Sequence, residues 1–429
     1  MTFLGAVAIG VGGMVGGGIF AVLGLASVLA GGATPIAFLI AGGVALLTAY
    51  SYAKLSVAFP DNGGTIIFID RAFGIGWCTG AANNLLWMGY VITLALYAVA
   101  FGNYAETFLP ESLHGASALH VLISVGLVVP LLLNFMGAEI VSKAETYVVI
   151  VKVAILVLVI AAGLGGVDTA RIDPGTWGGP LQVASAGMII FVAYEGFELI
   201  ANTAATVRNP KRNLPRAYYA SVISVIVLYV LIAAVVIGAL APDRIASSQD
   251  FALAEAARPS LGRFGFTIVG VAAVLATLSA INSTLYGAAR LSYAIAAEGE
   301  LPVSFKSMVW NQPIGLLLTG AMALSLANLV DLSSISMMAS ASFLIIFGIV
   351  NLAGAVLAKQ ARSNRLLGLC GVVACTLALT ALLVHTAQTS PQDLWGLAGL
   401  LVLALTGEGV YRLMRRGQPH APRIRRRPR

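Results

Sequence analysis

Apolar residues run through the chain in long blocks, most of them close to the length of a membrane span. Proline, asparagine and charge gather in the short stretches between. A predominantly apolar helix of about 20 residues crosses the hydrocarbon core of a bilayer. By that measure the pattern predicts helices at roughly 3–30, 34–58, 77–108, 117–137, 144–166, 181–206, 216–241, 263–297, 313–330, 333–358, 365–387 and 393–413. Twelve such helices take up about 240 residues and leave room only for short loops. The expected fold is an all-α polytopic membrane protein with 12 transmembrane helices.

Two of these blocks are interrupted. In the first, Gly12 to Phe20 holds five glycines in nine residues. Glycine disfavours helix interiors, and broken backbone at membrane depth is tolerated only where protein or an aqueous cavity satisfies the freed groups. The cluster therefore predicts a binding site. Helix packing is the other reading, since Gly12/Gly16 and Gly13/Gly17 are small-xxx-small pairs. A dinucleotide loop is excluded by the spacing and by the lack of a preceding strand. The second interruption is Phe191 to Glu198, with two carboxylates and a glycine amid apolar sequence. The first five helices end near 166 and the next five, 181–358, form a block of similar length. Interrupted helices at corresponding positions of two halves point to a transporter site between inverted repeats. Helices 365–413 and a basic tail, 414–429, lie outside that repeat.

Composition agrees with a membrane chain: 59% hydrophobic, 10% charged and a mean hydropathy of +0.92 over 429 residues, where soluble domains carry about a quarter charged residues. The first charged residue is Lys54, so the start reads as a membrane helix and not as a cleaved signal peptide. Three cysteines (Cys78, Cys370, Cys375) and four histidines form no ligand-spaced cluster, which implies no disulfide framework, metal site or cofactor. The net charge of +7 does not imply nucleic acid. Most basic residues fall on one set of alternate loops and on the tail, which predicts both termini in the cytoplasm of a cell (plasma or inner) membrane, with the tail attracted to anionic lipid.

The motifs carry a resemblance. Gly12-x-x-Val15-Gly16-x-Gly18-Ile19-Phe20 resembles the helix-one signature of the amino acid–polyamine–organocation transporter superfamily, of amino acid permease type. Ser51-Tyr-Ala-Lys-Leu55, Phe59-Pro60, Gly63-Gly64 and Arg71-Ala-Phe-Gly74 are similar to its helix-two exit. Phe191 to Glu198 with Asn209-Pro210-x-Arg212-x-x-Pro215-Arg216-Ala217 resembles its helix six and the loop after it. Ser279-Ala-x-Asn282-Ser283, Ala289-Arg290 and Gly299-x-Leu301-Pro302 resemble helix eight. Lys54 departs from the family, which commonly has Glu there. The resemblance implies a five-plus-five inverted repeat (the LeuT-like fold) with helices 1 and 6 unwound, and alternating access for amino acids or polyamines driven by protons, sodium or exchange.

If helix one unwinds at Gly16–Ile19, the amides from Val15 through Gly16, Gly17, Gly18 and Ile19 face a substrate carboxylate at the positive end of the following half-helix. The break at Tyr194–Gly196 would offer carbonyls to an ammonium group. Within the membrane, Glu195 and Glu198 are costly and expected to face a cavity or partner. Glu195 is placed to pair with a substrate cation and Glu198 to carry a proton. Lys152 is the basic residue deep in a span. The resemblance implies that its ammonium stands where sodium-coupled relatives hold an ion, near the carbonyls of Gly13 or Met14 and the hydroxyls of Ser279 or Ser283. A static salt bridge to Glu195 or Glu198 is the alternative. Trp87, Tyr90 and Thr93 are candidates to line the cavity, with Phe191, Tyr194 and Phe197 as gates.

The favoured function is a proton-coupled amino-acid symporter with no catalytic residues. A polyamine or cationic amine transporter or exchanger is the alternative. A cation channel fits less well, since no short filter-like repeat is present, and no histidine–acid or metal-ligand constellation suggests an enzyme.

Overall fold

The computed structural model describes residues 1–61, 63–136, 139–298, 307–309 and 312–414. Helices follow one another in the order that hydrophobicity predicts. The first block is split into α1 (Phe3–Met14) and α2 (Gly18–Ala30), bent by 47° at the break. Then come α3 (Thr34–Ala58), α4 (Thr65–Phe73), α5 (Trp77–Glu106), α6 (Ala116–Met136) and α7 (Glu139–Gly163). The sixth span is α8 (Pro180–Ile189) followed by 3₁₀ turns Ile190–Tyr194 and Phe197–Thr206. The chain continues with α9 (Pro210–Ala239), α10 (Pro242–Ser247), α11 (Ala252–Ala256) and α12 (Arg258–Glu298). It closes with α13 (Ile314–Leu329), α14 (Leu332–Val356), α15 (Arg365–Thr389) and α16 (Asp393–Met414). Among the described residues nine helices are long and apolar enough to span a membrane, and the bent α1–α2 pair makes a tenth. With the shorter apolar α13 and with α16, these are the twelve segments expected.

α5 is the axis. Every residue from Thr79 to Tyr104 is buried, as a helix that is apolar on all faces requires. It packs against α6, α12, α13, α14 and α16. The buried Glu408 of α16 lies against Gly80 and 3.5 Å from Nδ2 of Asn84 on α5. The rim is α6, α7 and α15, which turn Val125, Leu132, Ile150, Val157, Val373 and Leu377 outward. Their backbone is satisfied within each helix, so exposed apolar side chains there suit lipid.

Several expectations need correction. Helix one unwinds at Val15–Gly17, not Gly16–Ile19: Gly18 and Ile19 already belong to α2, where Ile19 is fully buried. Packing of that side chain restores the helix two residues early. The eighth helix begins at Arg258 and kinks at Gly262, whose φ is +62°. α4, α10 and α11 were not expected, being too short to register as spans. Gly299-x-Leu301-Pro302, Lys306 and the tail from 415 lie outside the described residues.

α10, a 3₁₀ turn at Gln249–Phe251 and α11 form a lobe at the end of the bundle opposite Lys54 and Arg71. Its core is the buried Glu255 carboxylate, held by Arg244 and, at 2.8 Å, by Arg258 Nε. Arg258 also lies 4.2 Å over the Phe266 ring. The Gln249 carbonyl sits against Gly24, which ties the lobe to α2. Burial, and next the Glu106 carboxylate, push the Asp250 carboxyl above the usual aspartate range. The stability it contributes is fully present below about pH 4 and is lost as pH rises through the raised folded value. Amide exchange over residues 242–257, corrected for intrinsic rates, is therefore expected to slow as pH falls toward that value. Asp250→Asn is expected to flatten the profile; a profile unchanged by this substitution would locate the titration elsewhere.

Candidate functional site

The two breaks touch. Glu195 is extended (ψ 146°) and Gly196 has φ +118°, a conformation that a side chain resists. A Cβ on Gly13 would stand 2.8 Å from the Gly196 carbonyl oxygen and 2.9 Å from its Cα. A Cβ on Gly196 would stand 2.6 Å from the Met14 amide nitrogen. Only two glycines let the interrupted backbones approach this closely.

Several of the freed backbone groups are claimed by neighbouring helices. Tyr229 of α9 donates its hydroxyl proton to the Met14 carbonyl at 2.7 Å, and the Ala193 carbonyl lies 3.2 Å from the same oxygen. Ser336 and Ser340 of α14 donate to the Ile189 carbonyl, at 2.9 and 3.1 Å, and Ser340 Oγ accepts from the Val192 amide at 3.1 Å. Lys152 of α7, buried, donates from Nζ to the Gly12 carbonyl at 3.0 Å. This differs from the expected Gly13 or Met14, because Tyr229 already occupies the Met14 carbonyl. The Ser283 hydroxyl points back into its own helix, to the Ser279 and Ala280 carbonyls. Polar side chains that close a broken helix in this way are what hydrocarbon surroundings demand.

The two carboxylates have different partners. Glu195 Oε2 accepts from Thr93 Oγ1 at 2.8 Å. Glu198 Oε2 accepts from the Gly196 amide at 2.7 Å and Oε1 from the Tyr90 hydroxyl at 3.2 Å, so this side chain caps its own break. Both are buried.

Beside them lies a cavity of about 50 Å³, room for a few water molecules. Its walls are Gly12 and Gly13 of α1, Tyr90 and Tyr97 of α5, and Glu195, Gly196, Glu198, Leu199 and Asn202 around the second break. Ala280, Ser283, Thr284, Gly287 and Leu291 of α12 complete it. Asn202 presses on Gly64, just before α4, so the cavity runs toward the end of the bundle that bears Arg71.

Among the expected site residues, Tyr90, Glu195, Gly196, Glu198 and Ser283 thus come together on this cavity. Val15, Gly16, Gly17, Gly18 and Ile19 are packed behind it: the Gly17 Cα faces the Tyr97 ring and Thr277, and Gly18 faces Ala193. Tyr194 turns away, donating to the Phe38 carbonyl at 2.9 Å. Phe191 and Phe197 both pack on Phe347, at 5.9 and 5.3 Å between ring centroids, and Tyr90 on Phe343 at 5.8 Å. Trp87 donates to Thr319 of α13 at 3.0 Å. Tyr97, Tyr229, Ser336 and Ser340 were missed. Their only sequence signal is a hydroxyl in mid-span, which must find a partner but does not name it.

Known proteins similar to this chain include a family and several relatives. The family model described as amino acid permease matches residues 1–405. An uncharacterized protein of Methanocaldococcus jannaschii is 35% identical over 413 residues, 95% of this chain and 94% of that protein. The inner membrane transport protein YbaT of Escherichia coli is 34% identical over 345 residues, 80% of each chain. The branched-chain amino acid permease BcaP of Bacillus subtilis is 24% identical over 376 residues, 82% of this chain and 79% of its own.

Gly196→Ala is expected to fail as a folded protein, since it adds about 1–3 kcal/mol of backbone strain to the collision with Gly13 and Met14. Gly43→Ala is the control, because a Cβ there meets nothing within 4 Å. Tyr229→Phe leaves the buried Met14 carbonyl without its donor and is expected to cost about 1–3 kcal/mol, seen as a lower melting midpoint of the purified protein. A Tyr229→Phe protein that melts with the parent would show that the hydroxyl bridge holds nothing together.

Proposed function

The chain belongs to the amino acid permease family, and on that premise we propose that this membrane transporter carries amino acids by alternating access, coupled to protons. The observation that supports it most is the meeting of two interrupted helices at Gly13 and Gly196, with two buried carboxylates and a lysine ammonium around the contact. We read residues 1–166 and 181–358 as inverted repeats of five spans. The end with Lys54, Arg71, Arg208, Lys211 and Lys359 is taken as cytoplasmic by the positive-inside rule.

Free amides and the positive dipole end at the start of α2 suit a substrate carboxylate. In this conformation Tyr97 covers them, so binding there requires its ring to swing away and merge the cavity with the space behind it. Glu195 takes the substrate ammonium in exchange for Thr93. Glu198 is the proton carrier: its protonation replaces the charged acceptor of the Gly196 amide by a weaker neutral one and loosens the second break. Lys152 ties α7 to the carbonyl end of α1, and loss of its proton would release that tie. Ser279 and Ser283, one turn apart on α12, complete the coupling region. The name borne by the Bacillus relative favours an amino acid. A cationic amine is a second reading, favoured by a cavity with two carboxylates and no basic side chain among its described walls.

Uptake of radiolabelled amino acids and amines into proteoliposomes, with and without an acid-outside gradient, tests this. Amino-acid uptake that rises with the gradient and ignores sodium is expected; sodium-dependent, gradient-independent uptake overturns the coupling. Glu195→Gln removes a charge-assisted contact of about 1.5–3 kcal/mol, and apparent affinity is expected to fall about tenfold to a hundredfold. Lys152→Ala is expected to abolish gradient-driven uptake, and retention of it would remove Lys152 from the mechanism.

A further inference from the structure

We infer that a groove between α5, α13, α14 and α16, away from the paired breaks, seats one acyl chain of a phospholipid whose headgroup carries a primary ammonium. The groove encloses about 740 Å³ and is walled by Val91, Ile92, Met322, Leu326, Met338 and Leu403. Its mouth toward hydrocarbon is set by side chains that stand free of the bundle: Leu329 is 83% exposed, Trp395 79% and Leu403 60%.

Charge and length select the occupant. The charged groups of the groove are gathered at one end, Asp331 ahead of α14 and Asp393 at the start of α16, with Gln392 beside them. Asp331 already caps α14, accepting from the Ser334 amide at 3.0 Å and its hydroxyl at 2.6 Å, and so is held facing that end. Among the described residues no lysine, arginine or histidine lines the groove. An anionic headgroup would therefore meet only carboxylates, whereas an ammonium meets two. From Asp393 to Leu403 the helix rises about 15 Å, half of a hydrocarbon core of about 30 Å. That is the depth of a single leaflet, with the headgroup at the carboxylates. A second copy of the chain is a poorer occupant, because a two-fold contact here would bring two sets of aspartates together.

Gly399 provides the test, since a Cβ there meets nothing within 4 Å and so faces open groove. The purified full-length protein is titrated with phosphatidylethanolamine or phosphatidylglycerol, and bound lipid is counted by native mass spectrometry. Retention of phosphatidylethanolamine over phosphatidylglycerol is expected. Gly399→Trp fills the groove and is expected to lose the retained lipid, while Gly399→Ala keeps it. Asp393→Asn, which removes one of the two carboxylate charges at nearly constant size, is expected to lower the headgroup preference about tenfold, equivalent to about 1.4 kcal/mol. Equal retention of both lipids, or unaltered retention by Gly399→Trp, overturns the proposal. So does a parent dimer that Gly399→Trp dissociates, which would give the groove to a second copy.

Discussion

An interrupted helix in hydrocarbon must find partners for every amide and carbonyl that it frees. The rest of this architecture follows from meeting that demand twice at one place. α9 brings Tyr229 to the Met14 and Ala193 carbonyls, α14 brings two serines to Ile189 and Val192, and α7 brings Lys152 to Gly12. Glu198 satisfies Gly196 from within its own segment. Each repair comes from a different helix, so the position of every neighbour is specified by the break and not only by apolar packing, which between membrane helices gives little direction.

This explains what was legible beforehand. Span positions follow from hydrophobicity because length in a bilayer is a strong constraint, and α3 begins and ends at the expected residues, 34 and 58. Both breaks were visible in composition, through the glycines of Gly12–Gly18 and the Glu195–Gly196–Glu198 group. The repairs were not. Tyr229 lies in an apolar run and Ser336 and Ser340 in a small-residue run, and nothing local distinguishes them from packing residues. Their partners are 36 to 215 residues away along the chain, a relation that no periodicity encodes. The direction of side chains was equally hidden. Tyr194 and Phe191 stand at the break in sequence, yet their rings turn into the surrounding bundle, because the 3₁₀ turn Ile190–Tyr194 that contains them leaves α-helical register.

Polar residues elsewhere divide by depth. At one end of the bundle, Glu255 is shared by two arginines that remain half in water, where an ion pair contributes modestly. In the interior, Glu195 and Glu198 are held by neutral donors, Thr93, Tyr90 and a backbone amide. Such donors keep a carboxylate in place without cancelling its charge, which leaves it able to respond to a ligand or a proton.

The Gly13–Gly196 contact has a mechanical meaning as well. It sits at the inner tip of α1, an arm of 12 residues and so about 18 Å long. A tilt of about 10° at the contact carries the far tip through about 3 Å, by the geometry of a rod of that length. Two glycine backbones, offering no side chains to interlock, form a bearing surface that can slide by a fraction of an ångström. Leverage would turn such a slip into a displacement of the far tip several times larger than the slip itself.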